Sequence, residues 1–178
     1  MKRIAAVFIA LMVGSTAVWA ERTERFASID GGTLDFADWS GQPVLVVNTA
    51  SQCGFTDQYA GLQELYDTYR SAGLVVLAVP SDDFNQELET AAEVKEFCEM
   101  TFGLDLPMAD ITRVKGRNAH PFYRDVRAQT GFVPRWNFNK VLIGPDGAVV
   151  QTWGARTKPM SRKITGEVER LLDSTTGG

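Results

Sequence analysis

The chain is poor in the residues from which metal centres and hydrolytic triads are built. His120 is its only histidine, which leaves no material for a His-rich metal site and argues against a Ser-His-Asp triad. Two cysteines, Cys53 and Cys98, are too few for a disulfide framework. No basic block is present, and 18 Lys and Arg stand against 22 Asp and Glu, so a nucleic-acid partner is not expected. Internal repeats, low-complexity tracts and inter-domain linkers are also missing. No apolar run is long enough for a membrane-spanning helix of ~20 residues.

The first twenty residues have their own character. Lys2-Arg3 precede an apolar run from Ile4 to Val13, and a small-residue stretch ends in Val18-Trp19-Ala20. This is the order of a secretory signal peptide cleaved after Ala20. Gly14, Ser15 and Thr16 interrupt the run, which speaks against a retained anchor, and no cysteine follows the cut to carry a lipid. The expectation is an exported, periplasmic protein without stable membrane insertion. Its mature part, residues 21–178, forms one domain with a formal charge of −6, since 16 basic residues remain against 22 acidic ones. In such a compartment two cysteines tend to be paired or turned over.

Along residues 21–178 the pattern alternates between strands and helices. Asp30-Gly31-Gly32 marks a turn within a short hairpin from Phe26 to Phe36. Val44-Leu45-Val46-Val47 reads as a buried central strand, and Leu74 to Val79 as a second. Between them Tyr59, Leu62, Leu65, Tyr66 and Tyr69 share one face of a helix that opens near Thr56 or Asp57 and stops at Gly73. A further helix is expected from Ala91 to Phe102, with Val94, Phe97, Cys98 and Phe102 at helical spacing, and a short one after Pro121. Val141-Leu142-Ile143, Pro145-Asp146-Gly147 and Ala148 to Trp153 read as an antiparallel hairpin. A last helix near Pro159 carries Ile164, Val168, Leu171 and Leu172. This order gives an α/β domain of thioredoxin-like fold, a central mixed sheet flanked by helices.

Cys53 falls just past the first long strand and just before a helix. A thiolate there meets the helix N-terminus, whose free N–H groups favour the anion, and ligands of α/β sheets bind beyond the carboxyl ends of strands. The polar run Ser51-Gln52-Cys53-Gly54 predicts a thiol that escapes deep apolar burial. A thiolate can attack a peroxide oxygen and become a sulfenic acid. That reaction needs N–H donors to hold the peroxide and the departing oxygen.

Five ordered stretches carry a resemblance to a known family. They are Asn48-Thr49-Ala50-Ser51-Gln52-Cys53-Gly54-Phe55-Thr56, Gly61-Leu62-Gln63-Glu64-Leu65-Tyr66, Gly73-Leu74-Val75-Val76-Leu77, Asn118-Ala119-His120-Pro121-Phe122-Tyr123 and Trp136-Asn137-Phe138-Asn139-Lys140. Together they resemble the glutathione peroxidases from about Phe26 to Leu172. The family's catalytic set of Cys or selenocysteine, Gln, Trp and Asn maps onto Cys53, Gln86, Trp136 and Asn137. Gln86 requires a loop one residue shorter than usual, and Leu88 stands where relatives have proline. Many relatives have a cysteine where this chain has Ser81, so Cys98 is left as the one possible resolving thiol. A packed core cysteine is an equally good reading of Cys98. His120 is expected to fix a loop.

The resemblance implies a thiol-dependent peroxidase acting on hydrogen peroxide or organic hydroperoxides in oxidative-stress defence. It implies no bound cofactor, and an external reductant, glutathione or a thioredoxin-like protein. The short segment from Tyr123 to Arg135 lacks the insertion of tetrameric relatives and points to a monomer. A thiol-disulfide oxidoreductase needs a second Cys where Thr56 stands. A peroxiredoxin has Pro and Thr where this chain has Val46 and Ala50, and a copper-delivery domain needs paired Cys. A redox-sensing or partner-binding module on the same scaffold is the non-catalytic alternative.

Overall fold

The computed structural model describes residues 22–176; the leader expected over residues 1–20 lies outside them. A short antiparallel hairpin, β1 (Arg25–Ala27) and β2 (Thr33–Asp35), comes first. The main sheet is built from β3 (Val44–Thr49), β4 (Val75–Pro80), β5 (Asn139–Ile143) and β6 (Val149–Trp153) in the order β4-β3-β5-β6. The β3–β4 pair is parallel and the other two pairs are antiparallel, so the sheet is mixed as expected. The helices are α1 (Gln58–Tyr69), α2 (Ala91–Phe102), α3 (Pro121–Thr130) and α4 (Arg162–Thr176).

Both faces of the sheet are covered, which is why β3 and β4 read as continuous apolar runs. Leu45, Val47, Val76, Ala78 and Leu142 pack in one cluster with α1, α2 and α4. Val44, Val46, Leu77, Val141 and Ile143 pack in another with α3 and the N-terminal hairpin. Local signals end the helices where the sequence places them. Thr90 and Glu93 form a reciprocal capping box at the start of α2, and Gly103 closes it at φ 63°. Gly73, at φ 110°, ends the short turn that extends α1. His120 does fix a loop: Nδ1 accepts from the Phe122 amide, Nε2 lies 2.8 Å from the Arg25 carbonyl, and the ring stacks on Phe26.

Lys140 is a departure from the apolar pattern. It sits on β5 opposite Val47 and is fully buried. Its ammonium donates to Gln58 Oε1, and Gln58 Nε2 donates to the Ala155 carbonyl at 2.7 Å. One lysine thus ties the start of α1 to the loop after β6. Burial lowers its pKa from 10.5 to about 7. Between those values the unfolded chain binds more protons than the folded one, so stability rises with pH across that window. Urea titrations from pH 7 to pH 10 are expected to show that rise, and Lys140→Met is expected to flatten it. An unchanged slope in the variant would assign the pH dependence elsewhere.

Candidate active site

β3 and β4 end, and β5 begins, at the same edge of the sheet. Three loops meet there: the turn after β3 with Cys53, the loop after β4 with Gln86, and the segment before β5 with Trp136 and Asn137. Cys53 is buried, at 4 % exposure, within the apolar cluster of α1, α2 and α4. This corrects the expectation drawn from its polar neighbours. Ser51 and Cys53 fold inward while Gln52 and Gly54 stay outside. The turn is closed by Thr56, whose amide and hydroxyl both donate to the Cys53 carbonyl, at 3.1 and 2.9 Å.

The loop after β4 docks directly on this turn. The Gln52 amide donates to the Gln86 carbonyl at 2.8 Å, and the Ser51 amide to Glu87 Oε1 at 2.9 Å. Glu87 Oε1 also accepts from the Leu88 amide. Asn85, in the left-handed region at φ 54°, turns the chain between Phe84 and Gln86; asparagine tolerates that conformation better than most residues. The shortened loop therefore still brings Gln86 to the site. Asn137 Nδ2 donates to Gln86 Oε1 at 3.0 Å, which leaves the Gln86 amide N–H groups free of protein partners among the described residues.

Asn137 itself is fully buried, and its Oδ1 has no partner. Trp136 is 41 % exposed, with its ring 5.6 Å from that of Phe84. Its indole N–H makes no hydrogen bond among the described residues. The segment is held from below by Asn48 at the end of β3. Asn48 Nδ2 donates to the Trp136 carbonyl at 3.0 Å, its Oδ1 accepts from the Asn139 amide at 3.1 Å, and its carbonyl accepts from the Phe138 amide. Phe138 adopts φ 59° to make this turn. The structure thus brings Gln86 and Asn137 into contact, puts the Gln86 backbone on the residue before Cys53, and sets Trp136 at the rim. A cavity of about 450 Å³ opens on the outer side of Trp136, bordered also by Phe132, Arg135, Asn139 and Arg156.

Cys98 lies apart in character. It is fully buried in the middle of α2. Burial pushes its thiol up to about 12, outweighing a hydrogen bond with Tyr59, and nearby Glu87 adds to the rise. Burial likewise raises the Glu87 carboxyl. Both cysteines are free thiols.

Sequence reasoning missed Asn48, Glu87, Phe84 and Asn139 as supports of the site. Asn48 had a visible signal, a polar residue closing an otherwise apolar strand. Asn48→Ala removes two side-chain hydrogen bonds and leaves the Asn139 amide without its acceptor, while the Trp136 carbonyl keeps the Asn139 side chain as donor; the cost is about 1–3 kcal/mol. The expected readout is a lower urea midpoint together with a blue or red shift of Trp136 fluorescence. An unmoved fluorescence spectrum would mean that Trp136 is held by other contacts.

Comparison with known proteins agrees with this arrangement. A family model described as glutathione peroxidase matches residues 23–127. The chain is 38 % identical over 150 residues to a glutathione peroxidase of Lactococcus lactis, covering 81 % of this chain and 94 % of that protein. It is also 38 % identical over 156 residues to the hydroperoxy fatty acid reductase gpx1 of Synechocystis, covering 82 % and 91 %. Among solved structures, apo Trgpx superposes with a TM-score of 0.67 at 29 % identity, over 84 % of this chain and 93 % of that one. A thiol:disulfide interchange protein of Chlorobium tepidum reaches 0.63 at 17 % identity, over 85 % and 95 %, a likeness of thioredoxin-type fold alone. With its fold, its ordered motifs and these matches in agreement, the chain belongs to the glutathione peroxidase family.

Proposed function

We propose that this thiol-dependent peroxidase reduces hydrogen peroxide and organic hydroperoxides at Cys53, with Gln86, Trp136 and Asn137 holding the peroxide. The observation that carries this reading is the Asn137–Gln86 hydrogen bond at 3.0 Å. It fixes two amides beside the cysteine turn and leaves donor N–H groups of Gln86 free for an oxygen. In the first step the Cys53 thiolate attacks one peroxide oxygen, the O–O bond breaks, and the other oxygen leaves as alkoxide or hydroxide. That oxygen takes a proton and departs as alcohol or water, and Cys53 carries a sulfenic acid. One external thiol then attacks the sulfenic sulfur and expels water. A second thiol releases Cys53 and leaves as the oxidised disulfide.

Direct reduction by an external thiol is preferred over internal resolution by Cys98. Cys98 is fully buried, and its thiol stays protonated near neutral pH. It also sits in a helix fixed by caps at both ends. Attack on Cys53 would require α2 to open first. Glutathione or a thioredoxin-like protein serves as donor in this reading, and no prosthetic group takes part. Export to the periplasm, with cleavage after Ala20, is proposed on the charged, apolar and small-residue order of the leader. A monomer is proposed on the short segment from Tyr123 to Arg135.

Cys53→Ser is expected to lower kcat/KM for hydrogen peroxide by at least about 10³-fold, while Cys98→Ser keeps turnover with a small thiol within about twofold. Peroxide consumption by the Cys53 variant equal to wild type would remove the peroxidatic role from Cys53. Loss of turnover in a folded Cys98 variant would restore the resolving role. In the native protein at pH 7, Cys98 is expected to resist alkylation until denaturant is added.

A further inference from the structure

Lys140 is fully buried, and the Gln58 side chain is the one hydrogen-bond partner of its ammonium among the described residues. An ammonium taken out of water without an anion beside it is costly, and groups placed in that way cluster at functional sites. Opposite Val47 in the antiparallel register, the lysine projects on the face of the sheet where Val47, Ala50, Cys53 and Tyr59 pack together. The Gln58 amide donates to the Phe55 carbonyl at 2.9 Å, and the Thr56 amide to the Cys53 carbonyl at 3.1 Å. Two consecutive turns thus carry the chain from Cys53 to the residue that holds the ammonium. In its own strand Lys140 follows Asn139, whose side chain donates to the Trp136 carbonyl. One buried cation is therefore tied both to the thiol turn and to the Trp136 segment.

The acids packed over this face supply no fixed counter-charge. Burial raises the pKa of Tyr59, of Cys98 and of Glu87, and so drives each toward its neutral form. The carboxylates of α1 and α2 occupy exposed positions, as does Asp173 of α4. On α4, Glu167 and Glu169 are engaged by Arg170 and Tyr69. The neighbours of Lys140 across the sheet, Val47 on β3 and Trp153 on β6, carry no charge. Burial alone accordingly lowers its pKa to about 7, with no opposing charge to hold it up. Cys53 is the acid of this cluster that the peroxide step uses as an anion. A thiolate there and an ammonium at Lys140 offset each other's desolvation, which neither can do alone.

We propose that Lys140 is a positioning residue for the Cys53 thiolate: held by Gln58 behind the cysteine turn, its ammonium is the buried counter-charge that favours the ionised sulfur. The role in turnover rests on the peroxidase reading above, but the ionisation of Cys53 is measured without peroxide.

The test follows alkylation of Cys53 by iodoacetamide, a neutral reagent that reacts with the thiolate, from about pH 5 to about pH 10, with the labelled peptide identified by mass. Lys140→Met is expected to move the midpoint of that profile up by at least about one pH unit. Lys140→Gln keeps a donor for Gln58 without the charge and is expected to move it equally. Lys140→Arg keeps the charge and is expected to stay nearer to wild type than to either neutral variant. At pH 7 the neutral variants then reduce hydrogen peroxide with a kcat/KM about tenfold lower. They approach wild type again once the pH passes the new midpoint, a recovery that a damaged fold does not give. An unmoved midpoint in whichever neutral variant folds, or an arginine variant that moves as far as glutamine, would overturn the counter-charge with the peroxidase reading intact. A midpoint that moves in a protein whose wild type consumes no hydrogen peroxide leaves the Lys140–Cys53 pair standing and removes the peroxidase reading.

Discussion

The amide of Asn48 is the joint on which the site hangs. At the last turn of an apolar strand it exchanges hydrogen bonds with both ends of the 136–139 segment, while its own carbonyl receives the Phe138 amide. It is 1 % exposed, so water does not compete for these bonds, and each is worth more than it would be at the surface. Because β3 also carries the chain directly into the Cys53 turn, one residue sets the distance between the thiol loop and the Trp-Asn pair. Gln86 then needs only to reach Asn137, and Glu87 secures it by taking the Ser51 amide.

A polar layer of this kind has an energetic cost. Asn137 Oδ1, fully buried beside Gln86, meets no protein partner among the described residues. Wholly apolar packing there would be the more stable solution. The protein instead keeps buried polar side chains, among them Thr49, Ser51, Glu87 and Asn137, behind a cysteine.

Much of the fold was legible because its signals are local. The apolar runs Val44–Val47 and Leu74–Val79, the stop at Gly73, and the turn at Asp146-Gly147 each act over a few residues. The positions of Cys53, Trp136 and Asn137 followed from motif order. What stayed hidden depends on contacts distant in sequence. The depth of Cys53 depends on α2 and α4 closing over it, so its polar neighbours misled. The reach of Gln86 turns on the left-handed Asn85, which no spacing rule could show. Lys140 reads as one more surface lysine until β5 is seen to be covered on both faces.

Phe138 shows what such a design forbids. Its left-handed backbone, φ 59°, asks for glycine, yet its ring packs edge-on against Tyr59 at 5.2 Å and is fully buried. Glycine would relieve the backbone and empty the core; asparagine would ease the strain but fill the apolar space less well. The position therefore sits at a compromise with no better neighbour in sequence space. Variation around the site must be absorbed by the exposed rim, where Arg135 and Arg156 can change without touching the turn.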